Sequence, residues 1–241
     1  MTKFQVRDDI ANLILLSLPQ ATLKRIRPAL ELLDTARGDV VDQADRPVGY
    51  LYFVNRGLIS LVKTMRDGRT VEIGVVGIEG ITQPQALFGI NKAPLDTIVQ
   101  IPGSAFRIRH DTLRSCMAED DKLCEVLQKY ARFSLLAFAE TAACNRLHHL
   151  EERCCRWLLI AHDSALSDTF LLTQEFLAMM LGVQRAGVSI AASFLQKAGL
   201  IGYRRGQVTI LNRSGLEDAA CECYGNMRAE FRKLFGTPKR I

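Results

Sequence analysis

The spacing of apolar residues along this chain changes period twice. Up to Leu33 they recur at helical intervals, from Ile10 to Leu18 and then from Ala21 to Leu33. From Gly38 onward, short apolar runs (GYLYFV, GLISLVKTM, TVEIGVV, TIVQI and AFRI) are broken by NRG, RDGR and IPGS, a pattern that predicts short strands joined by turns. Asp67-Gly68 between two of the runs predicts a tight hairpin. Many short strands at close spacing imply a small antiparallel barrel or roll. Near His110 the helical period returns. DTLRSCMAED predicts a short helix, and DKLCEVLQKYARFSLLAFAETAACNRLHHL, thirty residues without Pro or Gly, predicts one of about 40 Å at 1.5 Å per residue. Its apolar residues, among them Leu123, Val126, Leu127, Tyr130, Phe133, Leu135, Leu136 and Phe138, cover more than one stripe, so the helix needs two neighbours. These are either the strand domain and a second copy of the helix across a dimer axis, or elements of its own monomer. LEERCCRWLLIAHDSA then predicts a third helix with Leu150, Cys154, Trp157, Leu158 and Ala161 on one face.

The stretch LLTQEFLAMMLGVQRAGVSIAASFLQKAGLIGYRRGQVTILN carries the most chemistry. Thr173 has the character of an N-cap, and Glu175 sets a negative charge in the first turn, where the helix dipole favours it. That helix runs to about Met180. Gly182 suits a left-handed turn, and a second helix begins near Gln184. Ala178 is small where two steeply crossed helices touch, while Val183 and Val188 close their shared core. Two strand-like runs about Arg204, Arg205 and Gly206 then form a β-wing. Helix, turn, helix and wing read as a winged helix; the alternative is an unrelated helical hairpin followed by a β-hairpin with solvated arginines.

A recognition helix entering a major groove turns its N-terminal residues to the base edges. Here the base-reading candidates are Gln184, which can pair with adenine, Arg185, which can form a bidentate pair with guanine, and Ser189. Thr173, Ser193, Arg204 and Arg205 are placed for phosphate contacts that position without reading sequence. Gly187 costs a helix about 1 kcal/mol relative to alanine and has no evident reason in the sequence.

Composition narrows the class. Hydrophobic residues at 48% and charged residues at 24% are those of an ordinary globular chain with a real core. The net charge is +5, and residues 167–241 hold 10 Lys+Arg against 6 Asp+Glu, or +4 of it, which favours a polyanionic partner for the C-terminal third. No apolar stretch approaches the roughly 18 to 20 residues of a membrane span, and the chain reads as cytoplasmic. The odd count of seven cysteines suits reduced thiols better than a disulfide framework. Cys221-Glu222-Cys223 is too closely spaced for the usual zinc pair, so neither metal nor cofactor is expected. His148-His149 reads as a solvated helix end. The four histidines follow the last strand-like run of the first half, and no nucleophile motif or phosphate-binding glycine loop stands out, so no enzymatic activity is expected.

In the order of its parts the chain resembles the Crp/Fnr group of bacterial transcription regulators. LTQEFLAMMLGVQRAGVSIAASFLQKAGLI carries the closest likeness, with Arg185 on that family's base-contacting arginine. The resemblance implies an α+β fold: an antiparallel β-roll sensor of the cyclic-nucleotide-binding (jelly-roll) type with flanking helices over 1–120, a dimerisation helix over 121–149, and a winged helix-turn-helix over 150–241. It implies a homodimer on double-stranded DNA at a palindromic site, RNA polymerase as a further partner, and a small-molecule effector whose identity the residues leave open. Two further reading positions depart from the family pattern, Ala186 where an acidic residue is usual and Ile190 where arginine is frequent. In the sensor, Glu79 matches the first ligand position, but Leu95 stands about where the phosphate-binding arginine belongs, with Lys92 as the nearby donor. The alternatives are a cyclic-nucleotide-responsive regulator and an interaction module whose winged helix contacts protein.

Overall fold

The computed structural model describes residues 10–236, so residues 1–9 and 237–241 of the two terminal parts outlined above lie outside the described residues. The chain opens with α1 (Leu13–Ser17) and α2 (Gln20–Ile26). The first helix starts at Leu13 rather than Ile10 because Asn12 caps it, accepting from the Leu15 N–H at 3.0 Å. The buried Asn12 amide also donates to the carbonyls of Val54 and Gly80, both at 2.8 Å, tying α1 to the roll. The second helix is shorter than its apolar spacing suggests. Pro28 cannot donate back to Lys24, a 3-10 turn follows, and Glu31–Thr35 leave as strand β1.

The roll consists of β1, β2 (Val40–Asp42), β3 (Tyr50–Thr64), β4 (Thr70–Val76) and β5 (Asp96–Arg109), antiparallel in the order β1-β5-β3-β4 with β2 also on β5. The hairpin at Asp67-Gly68 joins β3 to β4 as expected. Two other expected turns are absent: NRG lies inside the 15-residue β3 and IPGS inside the 14-residue β5. They form a pair of facing bulges, with register shifts between Val54, Arg56, Leu58 and Ile59. A Cβ on Gly57 (φ +90°) would lie 2.4 Å from the Ile101 carbonyl oxygen, and one on Gly103 would lie 2.1 Å from that of Arg56. Glycine on both strands lets the backbones close in and bend without breaking the ladder.

Next come α3 (His110–Glu119), the 27-residue α4 (Asp121–Leu147) and α5 (Leu150–Ala165). Asp120 caps α4 by accepting from the N–H groups of Lys122 and Leu123. One side of α4 buries Leu123, Val126, Leu127, Tyr130 and Phe133 in the core shared with the roll. The rest of the chain holds β6 (Thr169–Leu171), α6 (Gln174–Leu181), α7 (Arg185–Lys197), β7 (Ile201–Arg204), β8 (Gln207–Ile210), α8 (Arg213–Asp218) and α9 (Glu222–Phe235). Helices α8 and α9 lie beyond the elements expected from the sequence. The last helix returns to α4, where Phe231 meets Phe133 edge-on at 5.4 Å and Glu230 pairs with Arg132 at 3.0 Å.

The winged part is docked on the roll. Leu58 and Ile101 of the roll belong to the same apolar core as Trp157, Leu177, Val188 and Leu195. Within this seam the buried Glu72 carboxylate accepts from the Trp157 indole at 3.1 Å and from the Ser60 hydroxyl at 2.5 Å. Burial pushes its pKa up to about 7.

Candidate DNA interface

The two helices α6 and α7 meet at 110° across a short turn, the arrangement of a helix-turn-helix. Thr173 caps α6, its hydroxyl oxygen accepting from the Phe176 N–H at 3.4 Å. Gly182 ends the helix in the left-handed region (φ +64°), and the Val183 N–H bonds back to the Ala178 carbonyl. Ala178 and Val188 are buried and Val183 is half-buried at the crossing.

Gln184 is the N-cap of α7, with a side chain that does not cap. Gln184, Arg185, Ala186, Ser189 and Ile190 are exposed at the N-terminal end of the helix, whereas Ser193 is half-buried. Two large apolar side chains also stand in solvent, Ile190 (68% exposed) and Phe194 (59%). The Arg185 guanidinium is held at 3.0 Å from the Glu175 carboxylate, and both side chains are largely exposed. Such a pair is worth at most about 1 kcal/mol and releases readily to a better partner. A Cβ on Gly187 would lie 3.1 Å from the end of the Leu150 side chain at the start of α5.

The wing is a three-stranded sheet, β6-β8-β7, one strand more than its sequence suggests. Arg205 (φ +51°) and Gly206 (φ +74°) both take left-handed conformations at its tip, as a two-residue type I′ hairpin turn requires. Arg204 and Arg205 are exposed there. The tip lies beside the start of α6, with the Leu172 N–H on the Gly206 carbonyl at 2.8 Å. Thr173 is half-buried; its oxygen also receives Arg37 Nη2 at 3.5 Å, which leaves its own O–H proton as the group available to a phosphate. Arg37, 5.4 Å over the Phe176 ring, adds another cation to this face. It comes from the roll, and nothing local in the sequence marks it.

The roll residues considered for an effector are placed differently. Glu79 is half-buried, accepts from the Gly77 N–H at 2.9 Å and has its pKa raised by desolvation. It lines a cavity of about 130 Å³ among the roll, α4, α5 and α9, together with Phe133, Phe138, Arg156 and Tyr224. Lys92 lies outside that lining and pairs with Asp45 at 3.4 Å. Leu95 packs on a small apolar cluster of the roll.

The five buried cysteines divide into two groups. Cys154 and Cys155 are buried in the winged part, where burial pushes their pKa values up to about 12 and about 11. Cys144, Cys221 and Cys223 instead converge with His148 where α4 ends and α9 begins, their ligand atoms all within 4.8 Å of one another. His148 is therefore not a solvated helix end. Its Nδ1 faces Cys223 Sγ at 3.6 Å and its Nε2 faces Glu222 at 3.0 Å. His149 is the N-cap of α5 and forms a capping box with Glu152. The pair at i and i+4, Cys144 and His148, is a spacing that could have been found in the sequence.

Roll, long helix and winged helix-turn-helix, in that order, define a two-part protein with a DNA-binding type of fold behind a β-roll. The family profile of the cyclic nucleotide-binding domain matches residues 33–120, and that of the Crp-like helix-turn-helix domain matches residues 152–219. Among solved structures, the chain is similar to FixK2 from Bradyrhizobium japonicum (19% identity, TM-score 0.66, covering 80% of this chain and 98% of that one). It is also similar to a CRP-family transcriptional regulator from Thermus thermophilus (19%, 0.63, 78% and 96%). A third such structure is a putative cAMP-binding regulatory protein from Silicibacter pomeroyi (21%, 0.61, 88% and 96%). No curated protein matches the sequence. The chain is a Crp/Fnr-type transcription regulator.

Proposed function

We propose that the protein acts as a homodimer on a palindromic DNA site, with Gln184, Arg185 and Ser189 reading bases and Thr173, Ser193, Arg204 and Arg205 holding phosphates. The observation that carries this reading is the exposed N-terminal end of α7 beside a wing tipped by two exposed arginines. Arg37 joins the phosphate-binding set, and the exposed Ile190 is placed to touch a thymine methyl. Effector sensing falls to the cavity at Glu79, because it touches the roll, α4, α5 and α9 at once. A ligand there would alter how α4 holds the two recognition helices, whose half-sites must lie about 34 to 36 Å apart. RNA polymerase as a further partner and a cytoplasmic location belong to the same reading.

Selection of bound duplexes from a random pool tests the proposal. A palindrome with the stated half-site spacing is expected; enrichment of no defined sequence would refute it. On the selected site, Arg185→Ala should cost about 1 to 3 kcal/mol while leaving random-DNA affinity within a few-fold. Equal losses on both duplexes would reduce Arg185 to a phosphate contact. Arg204→Ala and Arg205→Ala should instead weaken both alike and lower the salt dependence of binding.

A further inference from the structure

The Cys144, His148, Cys221 and Cys223 side chains lie where a mononuclear metal site would require them. The last turn of α4 presents Cys144 and His148 on one face, and the N-cap and first turn of α9 supply Cys221 and Cys223. A tetrahedral zinc ion with Zn–S of about 2.3 Å and Zn–N of about 2.0–2.1 Å sets its sulfurs about 3.8 Å apart and sulfur to nitrogen about 3.5 Å. Here Cys144 Sγ is 3.5 Å from Cys221 Sγ, and Cys223 Sγ is 3.6 Å from His148 Nδ1. The outer shell is in place as well. The other ring nitrogen of His148 faces the Glu222 carboxylate at 3.0 Å, the partner that orients a metal-bound imidazole and raises its basicity. All three cysteines are buried, as in a closed structural site.

We propose that this protein binds one Zn(II) per chain through Cys144, Cys221, Cys223 and His148 Nδ1, with Glu222 as the outer-shell acceptor. Binding takes three thiolates and a neutral imidazole and releases the thiol protons to solvent. The centre then carries a net charge of −1, from one Zn(II) and three thiolates. Ligands confined within 4.8 Å suit one ion rather than an iron–sulfur cluster, whose irons would spread them further. The site would pin residues 77 apart in sequence and fasten α9 across the α4–α5 junction. Because α9 lies beyond the segment matched to the Crp-like domain, the clamp is an addition to that domain. It is independent of the DNA-binding reading above.

Full-length protein purified without chelator should contain one equivalent of zinc by elemental analysis. Exchange for Co(II) should give thiolate-to-metal charge transfer and the intense d–d bands of a tetrahedral centre. Cys144→Ser and Cys223→Ser should lose both the metal and these bands, while Cys116→Ser and Cys124→Ser keep them. His148→Cys should retain cobalt with shifted bands, separating ligand loss from misfolding. Glu222→Gln, which removes no ligand, should weaken zinc affinity about 10- to 100-fold in a competition titration. A metal-free wild type that takes up no cobalt, cobalt bands indifferent to Cys144→Ser, or a Cys144–Cys221 disulfide in anaerobically purified protein would each overturn the proposal.

Discussion

Three glycines that look alike in the sequence have different roles. Gly57 and Gly103 face backbone: a methyl group on either would sit within 2.4 Å of a carbonyl oxygen of the opposite strand, and Gly57 also holds a positive φ. Neither neighbour can yield without breaking the β3–β5 ladder, so Gly57→Ala should destabilise the protein by at least about 3 kcal/mol. Gly187 meets only the far end of Leu150, a half-buried side chain at the first residue of α5. Leu150 can rotate away, and alanine gains on glycine within a helix, so Gly187→Ala should stabilise by about 0.5 to 1 kcal/mol. Urea unfolding midpoints of the two variants check both signs; destabilisation by Gly187→Ala would mean that Leu150 is fixed. The same contrast marks what single residues disclosed beforehand. Gly182, Ala178 and Val188 were legible because their roles depend on neighbours a few positions away. Gly57 and Gly103 act on each other across a strand pair, and Arg37 reaches Thr173 from 136 positions away, so no local pattern could announce them.

Among the elements, the seam between the roll and α5 has the clearest pH signature. Burial raises the Glu72 carboxyl from its ordinary 4.5 to about 7. A folded-state value above the unfolded one means that the folded chain binds this proton more tightly, so its contribution to stability is present below about 4.5, is lost as pH rises to about 7 and changes little beyond. Glu72→Gln keeps an acceptor for Trp157 and a donor toward Ser60 without the charge. It should match the wild type near pH 5 and exceed it at pH 8 by on the order of 2 kcal/mol. Parallel stability profiles for the two proteins would show that Glu72 is not neutralised in the seam. Periodicity located the elements on either side of this seam well: α5 spans Leu150–Ala165, where its apolar face was read, and α6, α7 and the wing fall within the stretch that suggested them. It misplaced elements where a breaker does another task, as with NRG and IPGS inside long strands, and where a strand such as Glu31–Thr35 continues a helical rhythm. The cysteine cluster escaped because its two halves are each unremarkable and only the return of α9 to α4 joins them.

At the scale of the whole molecule, α4 has more apolar surface than its own chain covers. The roll and α9 take one side, yet Leu135 (65% exposed), Leu136 (38%) and Leu147 (75%) remain in solvent on the other, with Ala139, Ala142 and Ala143 exposed between them. Alanines at these positions let a second helix approach closely, and leucines at either end give it something to grip. From Leu135 to Leu147 the stripe is about 18 Å long, short enough that one buried charge should break it. A two-fold axis through this stripe would present two recognition helices in the symmetry of a palindrome. Leu135→Glu should therefore sediment as a monomer at concentrations where the wild type is a dimer, with no loss of helix content, because Leu135 is already exposed within one chain. The variant should bind a single half-site within a few-fold of the wild type but lose about 10²- to 10⁴-fold on the full palindrome, the gain that linking two modules confers. If Leu135→Glu still sediments as a dimer, the pairing surface lies elsewhere; if it is monomeric and still binds the palindrome at full strength, the two recognition helices do not act together.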